Sequence, residues 1–107
     1  MAMEKTARIE GQATRDIEMR LTGLLEERRS ALRDIEPHAS PSIDPVAFQT
    51  AASHRAVITL AGDAIERLRA GTYGDCIGCG NAIAPARLEA VPYAAACIDC
   101  QSRAETA

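Results

Sequence analysis

The chain contains four cysteines, arranged as two Cys-x-x-Cys pairs, Cys76-Ile77-Gly78-Cys79 and Cys97-Ile98-Asp99-Cys100, with seventeen residues between the pairs. No other feature constrains the fold as strongly. A two-residue spacer lets one tight turn aim both sulfurs at a common point, and two such turns supply four ligands to one ion. Zinc prefers tetrahedral coordination, readily takes four thiolates, and is the metal expected at this spacing. Four thiolates close the coordination shell and leave no position for water. The sequence therefore predicts one structural Zn2+ held by Cys76, Cys79, Cys97 and Cys100. Gly80 follows the first pair, where the chain must turn away sharply through positive φ. His38 and His54 lie far along the chain from the cysteines and read as solvated or packing residues.

The redox argument agrees. The start of the sequence lacks the apolar run of a secretory signal, and no stretch approaches the length of a membrane span. The expectation is a cytoplasmic protein without membrane contact. Thiols stay reduced in that compartment, so paired cysteines point to metal rather than to disulfides.

The rest of the chain reads as helix. With 107 residues, one Phe, two Tyr and no Trp, it lacks the bulky side chains that fill a thick core. Thin packing between Ala- and Leu-rich helices is expected instead. Ile17, Leu21, Leu24, Ala31 and Ile35 recur in steps of four and three, with Arg28 in the one polar step and Leu25 and Leu32 widening the stripe. This predicts a first helix over about residues 3–36. Pro37, Pro41 and Pro45 punctuate the next segment. Asp44-Pro45 is a helix start, with Asp as N-cap and Pro at the first helical position. A second helix is predicted over 45–70, ending at Gly71 with Arg67 and Arg69 against the negative end of the dipole. Its apolar stripe is Val57, Leu60, Ala61, Ala64, Ile65 and Leu68. Two long helices joined by a short loop pack antiparallel as a hairpin.

The expected fold class is mainly α, with a coiled-coil-like antiparallel helical hairpin followed by a four-cysteine zinc finger. The expected units are a hairpin over 1–71 and a finger head over 72–107. The head loses the helical period until a short closing helix over about 95–105.

Beyond the cysteines, the residues become specific. Gly71-Thr72-Tyr73-Gly74-Asp75-Cys76, then Cys79-Gly80-Asn81-Ala82-Ile83, Pro85-Ala86-Arg87-Leu88-Glu89-Ala90-Val91-Pro92 and Cys97-Ile98-Asp99-Cys100-Gln101 resemble, in register, the zinc finger of the DksA/TraR family. The preceding hairpin also fits that family. The resemblance implies a bacterial transcription regulator that binds RNA polymerase without binding DNA. Its hairpin would enter the secondary channel, often acting together with ppGpp, and the protein would be monomeric. Full members carry Asp-x-x-Asp-x-Ala at the hairpin tip. Here the segment is Asp44-Pro45-Val46-Ala47-Phe48-Gln49, so only Asp44 carries over. Only 31 residues separate Asp44 from Cys76, which resembles the small members of the family. Asp44 is the candidate partner contact at the tip, and Arg87 a candidate in the finger. The alternative for Asp44 is helix capping. For Arg87 it is an ion pair or hydrogen bonds to backbone carbonyls. Tyr73 is expected at the junction of finger and helix.

Other functions compete. A zinc-stabilised interaction module with a different protein partner fits the altered tip, and a thiol redox sensor fits the cysteines. The net charge of −3, with no basic face, speaks against direct nucleic-acid binding. No nucleophile–base pair, phosphate-binding Gly loop or open metal position is present, so no enzymatic activity is expected.

Overall fold

The computed structural model describes residues 2–106, with side chains from residue 13 onward. Met1 and Ala107, the outer ends of the two expected units, lie outside the described residues. Helix α1 runs Ala2–Ile35 and is followed by a single 3-10 turn, Glu36–His38. Helix α2 runs Pro45–Ala70, α3 Pro85–Ala90 and α4 Ile98–Thr106. There are no strands among the described residues, only isolated bridges at Ser40–Asp44 and Asp75–Ala82. The molecule measures 62 × 33 × 21 Å. Most of that length is α1 itself, about 50 Å at the helical rise.

Local sequence sets both ends of α2. The Asp44 carboxylate accepts a hydrogen bond from the Ala47 backbone N–H at 3.0 Å, and Pro45 takes the first position, where no donor is required. At the other end Gly71 adopts φ +80°. The Thr72 N–H reaches back to the Arg67 carbonyl at 2.9 Å and the Gly71 N–H to Leu68 at 3.2 Å. This is a Schellman closure, and it needs a residue that tolerates the left-handed region.

The two long helices pack antiparallel. Leu21, Leu25, Ala61, Ala64 and Ile65 form the buried centre, with Ile17, Ile58, Tyr73 and Tyr93 packed on its margin. Leu21 is the one large side chain among the described residues that is 0% exposed. Opposite it α2 contributes alanines, which let the backbones approach closely and leave Leu21 to fill the seam. Three contacts tie α1 and the turn after it to α2, with the early Glu18 meeting the late Arg69 and the later Arg28 and Glu36 meeting the earlier His54 and Arg55. Glu18 pairs with Arg69 at 3.4 Å, Arg28 donates to His54 Nδ1 at 3.1 Å, and Glu36 pairs with Arg55 at 3.0 Å. The two ion pairs are solvent-exposed and worth at most about 1 kcal/mol each, so they set register more than stability. The Arg28 contact makes His54 a packing residue that accepts at Nδ1, since a guanidinium only donates. His38 is exposed in the turn.

Several details differ from the periodicity reading. Leu25, expected to widen the stripe, is more deeply buried than Leu24, because the seam follows Leu21 and its neighbour four residues on. Leu60, expected in the α2 stripe, is 40% exposed. It stands on the outer shoulder, where Val57 and Ala61 already occupy the interface. The closing helix begins at Ile98 rather than Ala95, because Ile77 N–H bonds the Ala95 carbonyl at 2.9 Å and holds that segment extended against the first cysteine turn. Helix α3 was not visible in the periodicity. Six residues are too few to show one, although Pro85 at its first turn is an ordinary start signal.

Candidate zinc centre and its seat on the hairpin

The first cysteine pair lies in a tight turn closed by the Gly80 N–H on the Cys76 carbonyl at 2.9 Å. The turn sits on a short ladder: Cys76 N–H donates to the Asn81 carbonyl at 2.8 Å and Ile83 N–H to the Gly74 carbonyl at 2.7 Å. Gly80 and Gly74 both have positive φ, at +78° and +88°. The second pair lies at the start of α4. Gln101 N–H bonds the Cys97 carbonyl at 2.9 Å, and Cys100 N–H donates to Cys97 Sγ at 3.4 Å. Cys97 thus holds the helix start with its sulfur, in the manner of an N-cap side chain.

These two turns bring the four Sγ atoms within 4.8 Å of one another. A zinc–sulfur bond near 2.3 Å in a tetrahedron puts sulfurs about 3.8 Å apart. Cys79 Sγ and Cys97 Sγ are 3.9 Å apart. The donor set and its spacing therefore fit one zinc ion, with Cys76, Cys79, Cys97 and Cys100 as the four thiolates. Backbone N–H groups of Gly78 and Cys97 each donate to Cys76 Sγ at 3.3 Å. In the metal-free finger the N–H groups of Cys97 and then Cys79 hold the Cys76 thiol down to about 6, against the opposing effect of burial. Hydrogen bonding with Cys97, then with Cys76 and Cys79, pushes Cys100 up to about 12. One sulfur is thus prepared as a thiolate, and further negative charge is disfavoured there until a cation arrives. A bound zinc supplies that charge and ties the two turns together. With its shell closed by protein it is structural.

Gly78 is a site residue that spacing alone did not reveal. A Cβ placed there would lie 3.0 Å from Cys100 Sγ and 3.2 Å from Cys100 Cβ. The two cysteine turns meet so closely that an added methyl group would push Cys100 back by a few tenths of an ångström. Gly78→Ala is expected to displace Cys100 and weaken zinc binding by about tenfold or more, in the range seen when a metal's supporting contacts are lost. Competition with a chromogenic zinc chelator measures this, and unchanged affinity would refute it.

The head is seated on the hairpin by polar contacts to backbone. Tyr73 Oη donates to the Pro92 carbonyl at 2.7 Å, and Arg20 of α1 donates to the Glu89 carbonyl. Burial raises the Tyr73 hydroxyl above its ordinary value, with Arg20 and then Arg67 pulling the other way. The hydroxyl stays protonated and keeps donating. Arg67 has its Nη2 atom buried without a hydrogen-bond partner among the described residues. Arg87 Nε donates to the Ala96 carbonyl at 3.0 Å, next to the ligand Cys97. The structure thus ties Arg87 to a backbone carbonyl that orients the second cysteine turn. Asp44 lies far from this head, at the loop end of the hairpin, where it caps α2.

Known proteins resemble the chain in the same two parts. Residues 71–105 match the family model of the prokaryotic dksA/traR C4-type zinc finger. No curated protein sequence matches the chain. Among solved structures, the transcription factor DksA2 from Pseudomonas aeruginosa superposes with a TM-score of 0.59 and 26% identity, covering 92% of this chain and 84% of that one. The RNA polymerase binding protein and transcriptional regulator Dks from Chlamydia trachomatis gives a TM-score of 0.51 at 18% identity, over 82% of this chain and 90% of that one, and shares the fold. Residues 71–105 are thus a C4-type zinc finger of the dksA/traR kind, carried on a chain that shares its overall fold with DksA2.

Proposed function

We propose that the protein regulates bacterial transcription by binding RNA polymerase through the secondary channel, hairpin first, without contacting DNA. The observation that carries this reading is the combination of a DksA/TraR finger with a DksA-like hairpin in one chain. The finger, braced by zinc and Arg87, fixes the base of the hairpin, and the loop around Asp44 is carried to the far end. The working form is a monomer in the cytoplasm, acting by binding rather than by catalysis. ppGpp joins at the polymerase rather than on the free protein. The absence of a basic face supports a protein partner.

Promoter-complex lifetime, measured with purified bacterial RNA polymerase with and without the protein and ppGpp, tests the reading. The expected result is a changed lifetime together with competition by another secondary-channel factor. Failure to bind polymerase at micromolar concentrations would overturn it. That outcome would favour a zinc-stabilised module for another protein, a reading supported by the departure at Ala47 and Gln49. Ala47 is only 5% exposed. The position that carries the second tip carboxylate in full family members is therefore turned into the hairpin here.

A further inference from the structure

The hairpin tip is unusual in what it exposes. From Pro37 to His54 the only carboxylate is Asp44, and there is no Lys or Arg. Asp44 Oδ1 is occupied by the Ala47 N–H. Around it stand Ile43 at 86% exposed, Val46 at 75% and Phe48 at 41%. Single exposed apolar residues need no explanation, but three within six positions at an almost uncharged hairpin tip form a patch. A local role would be a hydrophobic staple, in which the residue before the N-cap packs on the fourth helical residue. Ile43 and Phe48 hold those two positions. A side chain 86% exposed is not stapled.

The patch is held rigidly. Ser40 accepts the Asp44 N–H at its carbonyl at 2.9 Å and the Ile43 N–H at its Oγ at 3.3 Å. Ile43 is thereby fixed between a bonded turn and a capped helix, and Val46 rides on the first turn of that helix. An apolar group held outward in one conformation loses little freedom on binding.

Building on the polymerase reading, we infer that Ile43 and Val46, rather than Asp44, supply the tip's grip, and that they dock in an uncharged, apolar-lined recess of the polymerase. Charge complementarity argues for this occupant surface. The tip's one carboxylate stands at the positive N-terminal end of α2, which offsets its charge, so the tip has little Coulombic attraction to offer a basic or metal-bearing site. Asp44 is a positioning residue that shapes the turn. Binding through such a tip is weakly dependent on salt.

Affinity of zinc-loaded protein for purified RNA polymerase tests the inference, with circular dichroism and zinc content recorded for each variant. Ile43→Ser with Val46→Ser is expected to weaken binding by about tenfold or more, since two apolar side chains lose their burial. Asp44→Asn keeps an equivalent cap and is expected to bind within about threefold of the parent. Parent binding that survives the double substitution, or that is abolished by Asp44→Asn alone, would overturn the apolar tip and leave the polymerase reading standing. No binding by the parent chain would overturn both.

Discussion

Stripping zinc from the protein is expected to unfold the head while the hairpin stays helical. The head cannot hold itself together by packing. Its buried apolar residues are Cys76, Ile83 and Ala94, supplemented by Pro92. Its helices have six and nine residues, too short to persist alone. A structural zinc contributes about 10–16 kcal/mol in small fingers, far more than such a core provides. Cys97→Ser should act like chelation, because Cys97 both ligates and anchors the start of α4 through its sulfur. The hairpin keeps Leu21, Leu25, Ala61, Ala64 and Ile65 in place and loses the flanking Tyr73 and Tyr93 contacts and the Arg20 bond to the Glu89 carbonyl. Amide NMR before and after chelation gives the readout. Dispersed signals retained by residues 72–106 after complete zinc removal would show that packing, not metal, holds the head.

Acid should have the same effect, because each ligand proton must leave for zinc to bind. The sign follows from Cys76. Its thiol is held below the ordinary value of 9.0, at about 6 before metal binds, and a bound cation pulls it lower still, so the ligating thiolate is present at neutral pH and is lost only as acid reprotonates it. Zinc release on acidification, followed with a metal indicator, checks this.

How much of this was legible in the sequence differs from part to part, for physical reasons. The zinc ligands were legible because coordination chemistry fixes spacing locally: a two-residue spacer is a property of the turn, whatever lies around it. Asp44 and Gly71 were legible for the same reason, since a cap and a left-handed residue are decided within one helical turn. Gly78 was not, because its constraint comes from Cys100, brought against it only by the fold. The bond from Arg87 to the Ala96 carbonyl was not legible either, because the fold brings that carbonyl beside it. The tip was misleading in another way. Departure from the family pattern at Ala47 and Gln49 drew attention to missing acids, while the residues that matter for the surface were the exposed Ile43 and Val46. Exposure of an apolar side chain cannot be read from periodicity at Ile43, which precedes the helix, or at Val46, on a first turn too short to show a period.

The hairpin has its own weak point, and a second large effect is expected there. Leu21→Ala should destabilise the zinc-loaded protein by about 2–5 kcal/mol, the range for large-to-small substitution at a fully buried leucine. Several observations put it near the top of that range. Among the described residues Leu21 is the one large side chain with no exposure, and the residues across the seam include Ala61 and Ala64. Alanines have no rotamers with which to fill a cavity, so the site relaxes poorly. Close helix packing also resists collapse, because the backbones are already near their limit of approach. A single domain is commonly stable by only about 5–15 kcal/mol, so such a loss is a large fraction of the total. Leu24→Ala, on a half-buried neighbour, is the control and should cost about 1 kcal/mol. Urea unfolding of both variants with zinc bound separates them. Equal losses would mean that the seam is a broad greasy face rather than a packed line centred on Leu21. The effect should also reach the finger, because Tyr73 and Tyr93 rest against the same cluster. The zinc site itself should keep its affinity, since none of its ligands touches Leu21. A variant that loosens the hairpin yet holds zinc would show that the rigid arm and the metal-braced head are separately stabilised.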